Sequence, residues 1–362
     1  MKLESAGPGT VVAFAGGSSP TTSPALRMVA VEDLCLTRRR CGRGFAYFDA
    51  RGRRISDKVT LDRLRGLAIP PAYAEVLIAP RANHHIQAVG RDEAGRLQYL
   101  YHPAWEAVRE ARKSTKLARL CTALPTLRRR LARILATPGL SREKALAAVI
   151  ALIDRTHIRV GCDDYVHSGR SRGASTLLKR NVRIEGDRIF LAFVGKRRMP
   201  VQCSLRSPRL AGALEELRQL PGPRLFQYRN GDGALRKVSA AEVNAFLREL
   251  AEVEVTAKDF RTLAATAAAG ERLCLLERAA SASARKRQVA EVIRAVAALL
   301  ANTPAIARKS YVHRELIDAF ETGELARLAE RTLRQRHLSQ GEALVASLFP
   351  LRERAGSGTL AA

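Results

Sequence analysis

The chain has 362 residues, of which 62 are Lys or Arg and 35 are Asp or Glu, so its formal net charge is +27. This length suggests two domains, or one domain and a small module, and the 46% hydrophobic composition, rich in Ala and Leu, favours packed helices. So large a positive charge attracts a polyanion, most often nucleic acid, with an anionic membrane surface as the competing interpretation. The longest apolar run, residues 145–153, is about half of the roughly 18 residues that span a bilayer, so we expect no membrane-spanning helix.

The cysteines and histidines form no pattern that is typical of a metal site or a disulfide framework. The six cysteines are scattered along the chain without a CxxC pair, and no histidines have a convincing ligand spacing. We therefore expect no metal and no cofactor. The N-terminus lacks the continuous apolar segment of a secretory signal, which favours a cytoplasmic location.

The first part of the chain changes texture near residue 28. Residues 1–27 are rich in Gly, Ser, Pro and Thr and are expected to be a disordered tail. Residues 28–106 contain short runs of strand-forming residues separated by turn residues, which predicts a small β-rich domain. The predicted strands cover residues 45–48, 75–79, 86–89 and 98–102.

The pattern becomes helical after Trp105. Helices are predicted over residues 106–117 and 127–135, and Ser141 is a suitable N-cap for a helix that runs to about residue 157. Residues 181–194 alternate around Glu185-Gly186-Asp187, which predicts a hairpin, with a third strand near 200–203. Ser239 and Glu242 form a capping box ahead of a helix over 243–253. The fold class is therefore α+β: residues 107–350 form a mostly α domain with a short three-stranded antiparallel sheet, and residues 351–362 form a flexible tail.

Four short segments each place a cation or a nucleophile beside a predicted turn or helix end. The first holds Arg159 and is followed by Tyr165, and the second, Phe-Val-Gly-Lys, ends at Lys196. The third is Lys-Asp-Phe-Arg-Thr, residues 258–262. The fourth begins with Asn302-Thr303-Pro304 and ends with Arg-Lys-Ser-Tyr at residue 311.

These segments resemble the catalytic boxes of poxvirus-like bacterial type IB DNA topoisomerases, and they occur in that family's order. The resemblance covers roughly residues 33–320, because it includes three phrases of the N-terminal domain: Gly-Arg-Gly-Phe-Ala-Tyr from residue 42, Leu-Ala-Ile-Pro-Pro-Ala-Tyr from 67 and Gln-Tyr-Leu-Tyr-His-Pro from 98. It implies that Tyr311 is the nucleophile, and that the other catalytic residues are Arg159, Lys196, Arg261 and Asn302.

The chemistry of phosphodiester cleavage is consistent with these residue types. Charge must be stabilised on the nonbridging oxygens, and two guanidiniums are suitable because each stays charged and offers a planar fork of donors. The Asn302 amide can donate to one of these oxygens. A partly desolvated lysine gives up a proton more readily than an arginine, so Lys196 is the better general acid for the departing 5′-oxygen. A covalent ester at Tyr311 conserves the bond energy for religation, so neither ATP nor a metal is required.

The resemblance also implies partners and further contacts. We expect double-stranded DNA as the partner, bound by a clamp of two domains, with no membrane, a monomeric enzyme and a nucleoid-associated location. Tyr165 resembles a phosphate-contacting tyrosine of the family, with a core role as the alternative, and Lys258 is a further candidate DNA contact. On the predicted strand near residue 100, one face either contacts DNA or packs in the core; its candidate residues are Gln98, Tyr99 and Tyr101.

Several positions depart from the pattern of the family. The departures lie beside the catalytic residues, so we expect a modest catalytic rate; they are Cys162, Arg172, Arg197 and Leu263. Two rival functions are left open by the sequence. A tyrosine recombinase shares the same chemistry but usually has His where this chain has Lys258, and its N-terminal domain is usually helical. Both features favour the topoisomerase. A basic DNA-binding protein that has lost catalysis is the second rival, and the intact set of catalytic residues argues against it.

Overall fold

The computed structural model describes residues 26–163 and 171–351. The predicted tails, apart from residues 26, 27 and 351, lie outside the described residues, as does Tyr165. The chain divides into two compact units between Ala111 and Arg112. This division falls inside a continuous helix, and the domain bounds predicted from the sequence remain a prediction.

The N-terminal unit is built on a five-stranded antiparallel sheet with the strand order β2-β1-β3-β4-β5. One helix, α1, lies between β2 and β3 in the chain, and its N-cap is the side chain of Asp57, which accepts from the Thr60 amide. The β-rich character predicted for this region is confirmed. The elements are β1 (Leu36–Cys41), β2 (Gly44–Phe48), α1 (Lys58–Gly66), β3 (Ala74–Ile78), β4 (Ile86–Arg91) and β5 (Leu97–Tyr101).

Strand β1 and helix α1 were not predicted. Three consecutive arginines occupy the middle of β1 and hide its alternation of apolar and polar residues. In the structure the guanidiniums of Arg38 and Arg39 lie over the rings of Phe45 and Phe48, at 4.1 and 4.8 Å from the ring centroids. Pairing with β2 therefore supplies the apolar contacts that the sequence of β1 does not reveal.

The second unit is mostly helical and contains a three-stranded antiparallel sheet with the order β6-β7-β8, as predicted. A short hairpin, β9 and β10, was not predicted. The bounds are α2 (Trp105–Ala136), α3 (Arg142–Thr156), β6 (Val182–Glu185), β7 (Arg188–Val194), β8 (Pro200–Arg206), α4 (Pro208–Arg218), β9 (Gln227–Arg229), β10 (Leu235–Lys237), α5 (Ala240–Ala251), α6 (Ala257–Cys274), α7 (Ala282–Leu299), α8 (Arg314–Thr322), α9 (Glu324–Arg331) and α10 (Gln340–Leu348).

Helix α2 corrects the prediction of two separate helices. It runs without interruption from Trp105 to Ala136, although Pro125 lies inside it. A proline removes one backbone hydrogen bond and ordinarily breaks or kinks a helix. Here the side chains of Leu120, Leu124 and Leu127 are completely buried on the same stretch, so their packing offsets the lost bond.

Helix α3 lies at the centre of this unit. Every residue from Lys144 to Asp154 is buried, which accounts for the apolar run in the sequence, and the predicted Ser141 cap is confirmed by its bond to the Lys144 amide. Within the described residues no single helix is long and apolar enough to cross a membrane. Helices Ala282–Leu299 and Pro304–Tyr311, bent by 101°, pass that test only as a pair, by length and composition alone.

Candidate active site

Arg159 lies just beyond the C-terminal end of α3. His157 ends the helix in the left-handed conformation, with a φ of 56°, and the chain then runs beside residues 172–175. The Ala174 amide donates to the Arg159 carbonyl at 2.8 Å. The two segments are so close that a Cβ at Gly173 would overlap the Arg159 carbonyl oxygen. Only glycine permits this contact, which fixes the backbone that carries Arg159.

Arg261 is held from behind by two backbone carbonyls. It lies in the first turns of α6 with only 3% of its surface exposed. One terminal nitrogen donates to the carbonyl of His157, and the other donates to the carbonyl of Leu300 at 2.9 Å. Burial, followed by the charge of Arg159, lowers the pKa of Arg261 from its ordinary value. The guanidinium is therefore fixed in place without a carboxylate that would neutralise it among the described residues.

Asn302 is bonded directly to the first arginine. Its Oδ1 accepts from Nη2 of Arg159 at 2.5 Å. With that orientation, the amide nitrogen of Asn302 is buried and has no hydrogen-bond partner among the residues that the structure describes. Because a buried donor without a partner is costly, this nitrogen is suited to donate to an oxygen of a bound ligand.

Tyr311 ends a π-helical turn, Ala307–Tyr311, that follows the short helix Pro304–Ile306. Its ring centroid lies 5.1 Å from the central carbon of the Arg261 guanidinium. Burial alone would raise the pKa of the phenol. The charge and hydrogen bond of Arg261, with the charges of Arg159 and Lys258, outweigh burial, so the pKa of Tyr311 lies below its ordinary value. The surroundings of Tyr311 therefore lower the cost of forming the phenolate, which is the nucleophilic form.

Thr266, also on α6, holds the segment that carries Tyr311. It is completely buried, and its hydroxyl contacts the backbone on both sides of Val312. The hydroxyl accepts from the His313 amide at 3.2 Å, and its one proton is shared between the carbonyls of Thr262, at 2.8 Å, and Tyr311, at 3.1 Å. Sequence reasoning missed both residues that hold the site in this way: Thr266 contacts the backbone of a distant segment, and His157 acts through its own carbonyl, a group that every residue has.

Lys196 lies in the turn between β7 and β8, where the hairpin prediction placed it. Its side chain is exposed, and it lines a small cavity of 120 Å³ together with Arg159 and Arg261. Three of the four segments that the sequence singled out, those of Arg159, Lys196 and Arg261, thus meet at one cavity. Asn302 joins them through its bond to Arg159, and Tyr311 through its contact with Arg261.

The candidate DNA contacts are placed differently from one another. Lys258 is exposed in the first turn of α6 and acts on Tyr311 through its charge. The rings of Tyr99 and Tyr101 are stacked, with centroids 6.0 Å apart, whereas Gln98 donates to Asp92. Because consecutive strand residues point to opposite faces, Gln98 does not share the face of the two tyrosines, and the expectation of a common face is wrong.

Among the described residues, no group of three or more His, Cys, Asp or Glu side chains is placed to hold a metal ion. The cysteines in this part of the chain are free thiols.

Known proteins match both units of the chain. Residues 103–336 match the family model described as eukaryotic DNA topoisomerase I, catalytic core, and residues 44–92 match the model for the bacterial DNA topoisomerase IB N-terminal domain. A curated relative, the DNA topoisomerase 1B of Acanthamoeba polyphaga mimivirus, is 28% identical over 287 residues, which is 76% of this chain and 84% of the relative. The matches agree with the order of motifs in the sequence, and the chain belongs to the type IB DNA topoisomerase family, whose substrate is DNA.

Proposed function

We propose that this enzyme relaxes supercoiled duplex DNA by transient cleavage of one strand, through a 3′-phosphotyrosyl intermediate at Tyr311. The free strand end rotates and is then religated, without ATP or a metal. The observation that carries the proposal is the contact between the Tyr311 ring and the Arg261 guanidinium, 5.1 Å from centroid to carbon. It pairs the proposed nucleophile with a cation held by two carbonyls.

In the cleavage step the phenolic oxygen of Tyr311 attacks the phosphorus, and the bond from phosphorus to the 5′-oxygen breaks. The phenol loses its proton and the 5′-oxygen gains one, so the step needs no other reactant. Negative charge increases on the nonbridging oxygens in the transition state. Donors fixed in advance at these oxygens are worth about 3 kcal/mol each, and the candidates are Arg159, Arg261 and the amide nitrogen of Asn302.

Lys196 is proposed as the general acid that protonates the leaving 5′-oxygen. It lies in the turn between β7 and β8 and lines the same cavity as Leu300 and Ala301, in the chain segment that leads to Asn302. Because an ammonium is a compact donor on a flexible stem, Lys196 can follow the leaving oxygen as the bond breaks. Religation reverses the roles: Lys196 removes the proton from the 5′-hydroxyl, and the phenol of Tyr311 leaves.

We also propose contacts with DNA outside the reacting atoms. Lys258 and Tyr165 are proposed to contact phosphates near the cleaved bond, and the stacked pair Tyr99 and Tyr101 is proposed as a contact of the N-terminal domain. We also propose that the enzyme acts as a monomer.

Incubation with negatively supercoiled plasmid in EDTA, without ATP, tests this function. The wild-type protein is expected to relax the plasmid, and Tyr311→Phe is expected to bind it without relaxing it, because the ring is kept and only the nucleophilic oxygen is lost. Binding without relaxation by the wild-type protein would identify a DNA-binding protein without catalysis. Relaxation that stops in EDTA would overturn the metal-independent mechanism.

A further inference from the structure

The small cavity that holds the catalytic cations has a fourth cationic side chain, Arg172. Arg172 is one of the positions at which this chain departs from the family pattern, so the resemblance assigns it no role. At 120 Å³ the cavity is much smaller than the roughly 300–1,000 Å³ of a small-molecule site. Four cations therefore face a space suited to a single small anionic group.

The backbone of Arg172 is fixed to both neighbouring catalytic segments. Its amide donates to the carbonyl of Val194 at 2.8 Å, two residues before Lys196. The next two residues, Gly173 and Ala174, pack and hydrogen-bond against the carbonyl of Arg159. The position of Arg172 relative to Lys196 and Arg159 is thus set by direct hydrogen bonds.

The side chain of Arg172 is only partly committed to the protein. One terminal nitrogen donates to the Thr176 carbonyl at 2.9 Å, which orients the guanidinium. No ion pair between Arg172 and a carboxylate is present among the described residues, and nearby Asp163 is paired with Arg224 at 2.7 Å. A half-buried cation that forms no direct ion pair with a carboxylate of the described residues can pair with a bound anion instead.

We infer that Arg172 is a further catalytic residue, which binds a nonbridging oxygen of the scissile phosphate together with Arg159 and Arg261. This inference rests on the proposed function, since it assumes that the scissile phosphate occupies the cavity. Its chemistry is electrostatic: the guanidinium stabilises the charge that increases on the phosphate oxygens in the transition state. No proton or bond is transferred to Arg172.

The test compares three variants by the rate at which excess enzyme forms a covalent adduct with supercoiled plasmid, trapped with detergent. Arg172→Gln removes the charge and keeps a donor for the Thr176 carbonyl, and it is expected to form the adduct about tenfold or more slowly. Arg172→Lys restores the charge without the fork and is expected to recover part of the rate. Arg180→Gln is the matched control, because Arg180 is exposed and lies close enough to influence the pKa of Arg172 but does not line the cavity.

The inference is overturned if Arg172→Gln forms the adduct at the wild-type rate, or if Arg180→Gln slows it equally. In the second case the effect is that of net charge and not of a site. Thermal unfolding of each variant checks that the comparison is made on folded protein, and the Lys variant tests the charge even if the Gln variant unfolds. Failure of the wild-type protein to form any adduct would contradict the proposed function instead, so the two failures are distinguishable.

Discussion

At the scale of single residues, the reactivity of Tyr311 depends on the cations around it. Burial raises the pKa of the phenol, and three neighbouring cations lower it by more, with Arg261 as the largest of them. The same guanidinium is held by the carbonyls of His157 and Leu300. The protein thus places a fixed cation beside the proposed nucleophile and lowers the cost of forming the phenolate.

Lys258→Gln tests this electrostatic role. Removing one cation raises the pKa of Tyr311, so the rise of the cleavage rate with pH is expected to move to higher pH. The measurement is the rate of adduct formation as a function of pH. Lys286→Gln, the same change at an exposed position on α7, is expected to leave the profile in place. An unchanged profile in Lys258→Gln would show that this charge does not act on the phenol.

The catalytic candidates could be proposed from the sequence because each stands in a short motif with its own residue type and order. The groups that hold these residues in place could not be predicted from the sequence. Arg261 is oriented by carbonyl oxygens, and every residue has one, so nothing in the sequence marks His157 as its partner. Thr266 contacts Tyr311 across 45 positions of the chain. Such contacts depend on how helices pack, which no local pattern records.

At the scale of elements, a buried ionic cluster joins α2, α3 and α10. Arg128 donates to both carboxylate oxygens of Asp154, at 2.7 and 2.9 Å, and to both of Glu342, at 2.7 and 2.8 Å. Asp154 lies in the last turn of the helix that ends at His157. The cluster therefore supports the end of the helix at His157, whose carbonyl accepts from Arg261 and from which the chain continues to Arg159.

Glu342→Gln is expected to lower the free energy of unfolding by about 1.5–3 kcal/mol, the range for hydrogen bonds to charged groups. Glutamine can still complete the capping box with Ser339, so the loss of stability measures the contribution of the carboxylate charge. Burial raises the pKa of Glu342, but the hydrogen bonds and charge of Arg128 outweigh it and leave the pKa below its ordinary value. The stabilisation is thus present above the ordinary carboxyl pKa and is lost as the pH falls through the lowered value.

Urea denaturation near neutral pH and again in acid measures this difference. The difference in the free energy of unfolding between the wild-type protein and Glu342→Gln is expected to disappear in acid. Glu242→Gln makes the same change in the capping box of Ser239, where the carboxylate pairs with a more exposed arginine, Arg142, at the longer distance of 3.5 Å, and a smaller loss is expected. Equal losses in the two variants would show that the ion cluster adds nothing beyond the cap.

Elements were predictable where their own residues specify them. The Ser141 cap, the capping box of Ser239 and the hairpin at Gly186 were predicted because the signals lie within a few residues of the turn or helix end. Strand β1 and the continuity of α2 across Pro125 were not, because pairing with β2 and burial of leucines decide them. In both cases tertiary contacts override the local preference.

At the scale of the whole molecule, the net charge of +27 predicts the character of DNA binding. Contacts with phosphates release counterions, so the logarithm of the binding constant falls linearly with the logarithm of salt concentration, with a slope of about −0.9 for each phosphate neutralised. Duplex binding by the Tyr311→Phe protein, titrated at several salt concentrations, separates this term from catalysis. A flat dependence would contradict binding through the phosphate backbone.

The central claim is that Tyr311 forms the covalent bond with DNA. The most direct measurement is to trap the adduct on supercoiled plasmid with detergent in EDTA, digest both components and identify the modified peptide by mass spectrometry. We expect a single nucleotide-bearing peptide, linked through its 3′-phosphate to Tyr311, and none from Tyr311→Phe. A nucleotide on any other residue, or an adduct that persists in Tyr311→Phe, would contradict the account.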